Sequence, residues 1–152
     1  MKVTFQSLDN PQIFSSNGEQ AFWRFNVSFQ AERCSGEGYA YGIASPRSAD
    51  WRLGAAKVVG RMIDLPLFYE KAFDFSPSPS AHDQIVPLGP RGSFRLFGEI
   101  AGHLRSGGGS VVAVHSEGIV IGVSSVPEDA LELEPATRVS FRPEGFGFYF
   151  GQ

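Results

Sequence analysis

The sequence predicts an α+β fold: a curved, mostly antiparallel sheet of about eight strands packed on or wrapped around one main helix. A β-barrel with a helical cap is the alternative, and either would occupy residues 1–152 as a single domain. Three observations carry the prediction. Apolar and polar residues alternate over 22–30 and again over 94–104, the period of a strand with one buried face. Between those stretches the period changes to that of a helix. Phenylalanine, with 14 copies beside two Trp and two Met, packs well on half-buried pleated surfaces.

Val3 and Phe5 alternate with Thr4 and Gln6, which predicts a first strand ending near Leu8. Asp9-Asn10-Pro11 and Ser15-Ser16-Asn17-Gly18 are turn chemistry. In the second strand Trp23, Phe25, Val27 and Phe29 share one face, with Arg24, Asn26, Ser28 and Gln30 on the other. Tyr39, Tyr41 and Ile43 make a third. Ser45-Pro46 then reads as an N-cap followed by proline at the first helical position. Trp51, Ala55, Val58, Val59, Met62 and Ile63 recur at helical spacing, so the main helix is predicted over 46–64, with a further helical turn or two over 67–73. Residues 76–92, carrying Pro77, Pro79, Pro87 and Pro90, read as an extended loop.

The second half reads as a meander. Phe94, Leu96, Ile100 and Leu104 share one parity, and Arg95, Phe97, Glu99 and His103 the other. A reversal centred on Gly107 sets Ile100 opposite Val114 and Glu99 opposite His115. Glu117-Gly118 reverses the chain again into Ile121 and Val123. Residues 127–134 are acidic and turn-like, with a short helical turn. Val139 and Phe141 are predicted to pair back, across Pro143-Glu144-Gly145, with Phe146, Phe148 and Phe150.

The charge balance restricts function. Formal net charge is −3, whereas nucleic-acid binders draw most of their affinity from a basic excess. Cys34 is the only cysteine, so a cysteine-rich zinc site and an intrachain disulfide are excluded. The opening Met1-Lys2-Val3-Thr4-Phe5 is not a signal peptide, and no stretch approaches the roughly 18 apolar residues of a membrane span. The expected location is the cytoplasm. No cofactor and no metal are implied.

Several groups are candidates for chemistry. Glu99 and His115, as cross-strand neighbours with His103 further along the same face, form a polar pair able to do acid–base work, against the simpler reading of a solvent-facing charge pair. His82-Asp83 resembles the dipeptide of metal-dependent phosphohydrolases, but it sits in a proline-rich loop rather than on a helix. Cys34 lies in a glycine-rich loop with no histidine nearby, which favours a passive thiol.

Glu144-Gly145-Phe146-Gly147-Phe148-Tyr149-Phe150 resembles the aromatic RNA-binding strand of RNA-recognition motifs, and more loosely that of cold-shock domains. The resemblance implies base stacking by Phe146, Phe148 and Tyr149, aided by Arg138 and Arg142. The motif is departed from at Glu144, where it has Lys or Arg, at Tyr149, where it has valine, and at Gly151, where it ends on an aromatic. The competing reading is a core or dimer-forming strand.

Two charge clusters remain. Arg47, Lys57 and Arg61 fall along one flank of the predicted helix, and Glu128, Asp129, Glu132 and Glu134 form an acidic segment. The expectation is a non-catalytic protein-binding domain, an accessory, inhibitor or immunity-type protein acting through that acidic segment on another protein. Single-stranded nucleic-acid binding through the aromatic strand is the alternative. A small enzyme with an unrecognised pocket, drawing on Tyr39, Tyr41, Glu99 and His115, is the third reading. An exposed patch of Phe97, Val111 and Val120 would mark a homodimer interface.

Overall fold

The computed structural model describes residues 1–16, 19–44, 57–106, 109–124 and 126–150. Of the described residues 67% are strand and 5% helical, which overturns the α+β prediction. The strands are β1 (Lys2–Ser16), β2 (Ala21–Ala31), β3 (Ser35–Ala44), β4 (Met62–Asp64), β5 (Leu67–Phe68) and β6 (Lys71–Pro77). They continue with β7 (Gln84–Pro87), β8 (Phe94–Ser106), β9 (Gly109–Ser116), β10 (Ile119–Val123), β11 (Arg138–Glu144) and β12 (Gly147–Phe150). A 3₁₀ turn, η1, spans Glu128–Glu132.

The main helix is the largest correction. Residues 46–56 of the predicted span lie outside the described residues. Of the remainder only 57–58 are helical; Val59 bridges to Phe5, and strand β4 pairs Ile63 with Val3. Met62, assigned to the apolar stripe, is 72% exposed. A short apolar run fits both periods, and here pairing with the edge of β1 decides it. Of the helical turns expected over 67–73, residues 67–68 and 71–73 are strand, as are 76–77 and 84–87 of the proline-rich loop.

The chain forms two compact units, each holding one sheet. The first comprises Met1–Phe68, Pro90–Gly92 and Gly145–Gln152, and the second Tyr69–Gly89 and Ser93–Glu144.

In the first unit the strand order is β4-β1-β2-β3-β12-β5. Strand β1 runs past the predicted turn at Asp9-Asn10-Pro11 because the ladder absorbs it as a bulge, with Asn10 at φ 47°. Asparagine tolerates that left-handed conformation better than most residues. Strand β2 buries every second residue, as its alternation predicts. Opposite Trp23, Phe25, Val27 and Phe29 stand Gly42, Ala40, Gly38 and Gly36 of β3. These small residues leave room for Phe148 and Phe150, which β12 sets beside Ala40 and Gly42 in parallel register. Phe148 meets Phe5 and Phe29 edge-on at 5.4 and 4.8 Å. Large rings over small residues give the dense packing that interiors require.

The hairpin predicted between 139–141 and 146–150 does not form. Strand β11 belongs to the second sheet, while β12 pairs with β3 and β5. The opposite face of the first sheet carries a second aromatic group. Phe22 stacks on Tyr41 at 5.7 Å, Phe68 lies 4.4 Å from Tyr41, and Phe14 meets Phe22 edge-on. Tyr41, wholly buried, donates its hydroxyl hydrogen bond to the Gly145 carbonyl.

In the second unit the order is β10-β9-β8-β11-β6. Residues 96 and 97 of β8 pair with both β7 and β11, and Glu99 pairs with both β9 and β11. Strands β7 and β9 therefore share one edge of β8, end to end. The meander has the expected register of Ile100 with Val114 and Glu99 with His115. It reaches this through a bulge between Ile100 and Gly102, since from Gly102 to Ser106 the pairs are shifted by one residue from the register expected about Gly107, with Ser106 opposite Gly109. Beyond the bulge parity inverts. Leu104, predicted inward, pairs with Val111 and is 57% exposed, while His103 pairs with Val112, off the Glu99–His115 face. Ile100, Val114 and Ile121 are all buried.

Candidate functional site

The second unit holds two groupings of interest. The first lies where β7 and β9 meet along β8. His115, Glu99 and Arg138 stand in one cross-strand row, and Asp83 enters from the residue just before β7. The Asp83 carboxylate accepts a hydrogen bond from the Arg138 guanidinium and lies 3.6 Å from His115 Nδ1. Arg138 also reaches Glu99 at 3.7 Å. Basic and acidic side chains thus alternate across three strands. Each side chain is a quarter to a half exposed, where such pairs contribute only modestly to stability. The grouping fixes the 78–83 loop against the sheet.

Spacing located Glu99 and His115 but not Asp83 and Arg138, which arrive from distant parts of the chain. His82 of the predicted dipeptide is exposed, and Asp83 is committed to Arg138 and His115. Among the described residues no group of three or more His, Cys, Asp or Glu side chains is arranged to hold a metal ion.

The second grouping is a cleft of about 390 Å³ lined by Ala72, Phe73, Asp74, Phe75, Val123, Val126 and Pro127. One wall is β6, an outermost strand of that path, and the other runs from Val123, the last residue of the opposite outermost strand β10, into Val126 and Pro127 beyond it. The sheet therefore curls until its edges face each other. Tyr69 spans them, donating its hydroxyl hydrogen bond to the Gly122 carbonyl. On β6, Asp74 adopts φ 54° at the point where the register with β11 shifts. Arg142 and Arg95 hold its carboxylate at 3.5 and 3.9 Å, and the Arg142 guanidinium also lies over the Phe73 ring. Such a bulge sharpens the local bend and twist of a strand.

Burial raises the Tyr69 phenol above its usual value of 10.0, with a hydrogen bond from the Ser124 backbone pulling the other way. A raised value means the neutral phenol is favoured by folding. Its contribution is complete below pH 10 and is lost as pH rises through the folded-state value. Tyr69→Phe should cost about 1 kcal/mol at neutral pH. The gap between variant and parent should close above pH 10, as measured by urea unfolding across an alkaline series. A constant gap would show that the Tyr69 hydroxyl does not clasp the edges.

The acidic segment begins where the cleft ends. Pro127 lines the cleft and precedes η1, whose first turn carries Glu128 and Asp129. Ala130 is buried and anchors the turn, with its N–H bonded to the Pro127 carbonyl at 3.0 Å. Glu128, Asp129, Glu132 and Glu134 are all exposed, and none is paired with a basic group of the described residues.

The remaining predicted site residues are not gathered. Arg47 lies outside the described residues, and exposed Lys57 and Arg61 flank the Val59–Gly60 turn rather than one side of a helix. Phe146 and Phe148 are buried, with 1% and 0% exposure, and Tyr149 is half-buried. Neither phenylalanine offers a face to a base, so the stacking platform implied by the aromatic strand is absent from these two rings. Tyr39 and Tyr41 belong to the first unit, and Glu99 and His115 to the second. Of the Phe97–Val111–Val120 patch only Val120 is strongly exposed. Cys34 is buried at the β2–β3 turn.

No helix of the described residues is long and apolar enough to cross a membrane. The chain matches no family model, no curated protein and no solved structure.

Proposed function

We propose that this chain is a non-catalytic binding domain whose partner is another protein, held through a basic, partly apolar segment at the cleft of the second unit. One observation carries the reading: a cleft with Phe73, Phe75, Val123 and Val126 beside Asp74 in its walls continues directly into exposed carboxylates at Glu128 and Asp129. Apolar side chains in the walls supply affinity, and charge at the mouth supplies orientation and partner choice. A role as an accessory, inhibitor or immunity-type protein fits such a surface. Its acidic turn would neutralise or screen a basic protein.

The test is a titration of the ¹⁵N-labelled chain with an acetylated alternating valine–lysine octapeptide, and with the valine–glutamate peptide as its counterpart. The lysine peptide should bind and shift amides around 72–75 and 123–130. Raising salt from ~20 to ~300 mM, where screening shortens to within a few ångströms, should weaken it severalfold. Glu128→Gln with Asp129→Asn should weaken it about fivefold, in line with two partly exposed charge contacts. Equal binding of the two peptides, or indifference to salt, would refute the proposal.

A further inference from the structure

The core of the first unit closes row by row, and one row stays partly open. Paired residues of neighbouring strands put their side chains on the same face, and that face recurs at every second residue. In the row Phe25–Ala40–Phe148 every residue is buried. The next row along the same face is Ile13–Trp23–Gly42–Phe150, drawn from β1, β2, β3 and β12. Here Ile13 is 50% exposed, and Gly42 and Phe150 are only half-buried. Trp23 alone in this row is buried, with 9% exposure and its ring stacked on Phe25 at 6.3 Å. The glycine opposite it supplies no side chain to close this end of the core.

That tryptophan is short of one partner. Its indole Nε1–H is withdrawn from solvent and has no hydrogen-bond partner among the described residues. An indole N–H is a donor only, and buried tryptophans usually find an acceptor for it. A sealed interior does not impose the orphan, because the same row reaches solvent through Ile13, Gly42 and Phe150. A hidden donor beside accessible apolar surface is the arrangement of small-molecule sites. In such sites apolar walls hold the ligand and a few placed polar groups orient it, and the open ends of curled sheets are among their usual places.

We propose that this open end of the first unit's core binds a small, uncharged, apolar molecule through a carbonyl or ether oxygen, which accepts the Trp23 indole hydrogen bond. The row holds no ionisable side chain, so a charged ligand would be buried there without a counter-charge. An alcohol fits less well for a related reason. Its oxygen can accept from the indole, but its own O–H finds no acceptor on the side chains of this row. A ketone, ester or ether satisfies the donor and adds no new demand. The proposal is independent of the protein-binding cleft, which belongs to the second unit.

The experiment titrates the ¹⁵N-labelled full chain with acetophenone and with ethylbenzene, two probes that differ only by a carbonyl in place of a methylene. The chain has two Trp, and Trp23→Phe identifies the Trp23 indole cross-peak by its loss. Both probes should bind with dissociation constants of about 1 mM or tighter, in keeping with their size. Acetophenone should move the Trp23 indole proton downfield, while ethylbenzene, which brings the same ring, should not. Trp23→Phe keeps an aromatic ring and removes the donor. It should bind acetophenone about tenfold more weakly and hold ethylbenzene within about twofold of the parent. Equal weakening of both probes, or acetophenone bound with the indole proton unmoved, would reveal an apolar site that ignores the donor and would overturn the proposal. Absence of acetophenone binding up to ~10 mM would overturn it as well. Should Trp23→Phe not fold, the indole proton of the parent decides alone.

Discussion

Replacing Gly147 by alanine is expected to destabilise the first unit by about 3 kcal/mol, near the upper end for adding a single methyl to a packed interior. Gly147 opens β12 at the point where it meets Tyr39 of β3 in parallel register. A Cβ built there would lie 2.0 Å from the Tyr39 carbonyl oxygen and 2.6 Å from its carbon. Both are backbone atoms, held by the β2–β3 ladder and by the bond from Tyr39 N–H to the Phe146 carbonyl at 3.2 Å. No rotamer relieves the contact, so β12 must move away from β3. Gly42 provides the internal comparison. It sits on β3 opposite Phe150, where an added Cβ would find only the Phe150 Cβ at 3.7 Å, an ordinary contact. Gly42→Ala should change stability by about 0.5 kcal/mol or less. Urea unfolding of the two variants under one condition measures the difference. Equal midpoints would mean that β12 does not lie against Tyr39.

The same residue illustrates where the sequence was readable. Strands β2 and β8–β10 could be read because their information is local: alternation marks the buried face, and the intervening turns set the register within a residue. The single bulge in β8 then accounts for both parity errors, at His103 and Leu104. Strand β12 was readable as a strand but not as a neighbour of β3. Its partner lies more than a hundred positions earlier, and the Pro143-Glu144-Gly145 turn that suggested a hairpin instead carries the chain from one sheet to the other. A parallel pairing at that separation leaves no periodic mark. Residues 59–64 failed for a different reason. Val58, Val59, Met62 and Ile63 satisfy helical spacing in a run too short to exclude a strand, and the competing pairing with Val3 and Phe5 is tertiary. The candidate sites divide in the same way. Hairpin arithmetic identified Glu99 opposite His115, and composition identified the acidic segment. The arrival of Asp83 and Arg138, and the meeting of β6 with the chain from Val123 to Pro127 around a cleft, depend on the curl of the finished sheet.

Phe148→Ala should cost about 3–5 kcal/mol, the range for emptying a phenylalanine site in a closed core. Its ring is wholly buried and meets Phe5, Phe29 and Phe146 edge-on, so truncation removes three aromatic contacts together with the buried area. The small residues Gly38 and Ala40 that β3 presents beneath these rings limit how far the site can collapse, which places the expected loss toward the upper half of that range. Phe14→Ala is the useful contrast. Phe14 belongs to the aromatic group on the other face and is 45% exposed, and its removal should cost about 1 kcal/mol, because much of its surface is never taken from water. The pair of measurements also discriminates function from packing. A base-stacking phenylalanine keeps an exposed face and can be truncated with little loss of stability while binding collapses. A core phenylalanine does the reverse. Full stability of the Phe148→Ala variant, with loss in that variant of an oligonucleotide binding shown by the parent chain, would return β12 to the role its aromatic pattern resembles. Unfolding at low urea assigns it to the core, where Phe148 and Phe150 fill the space left by Ala40 and Gly42 on β3.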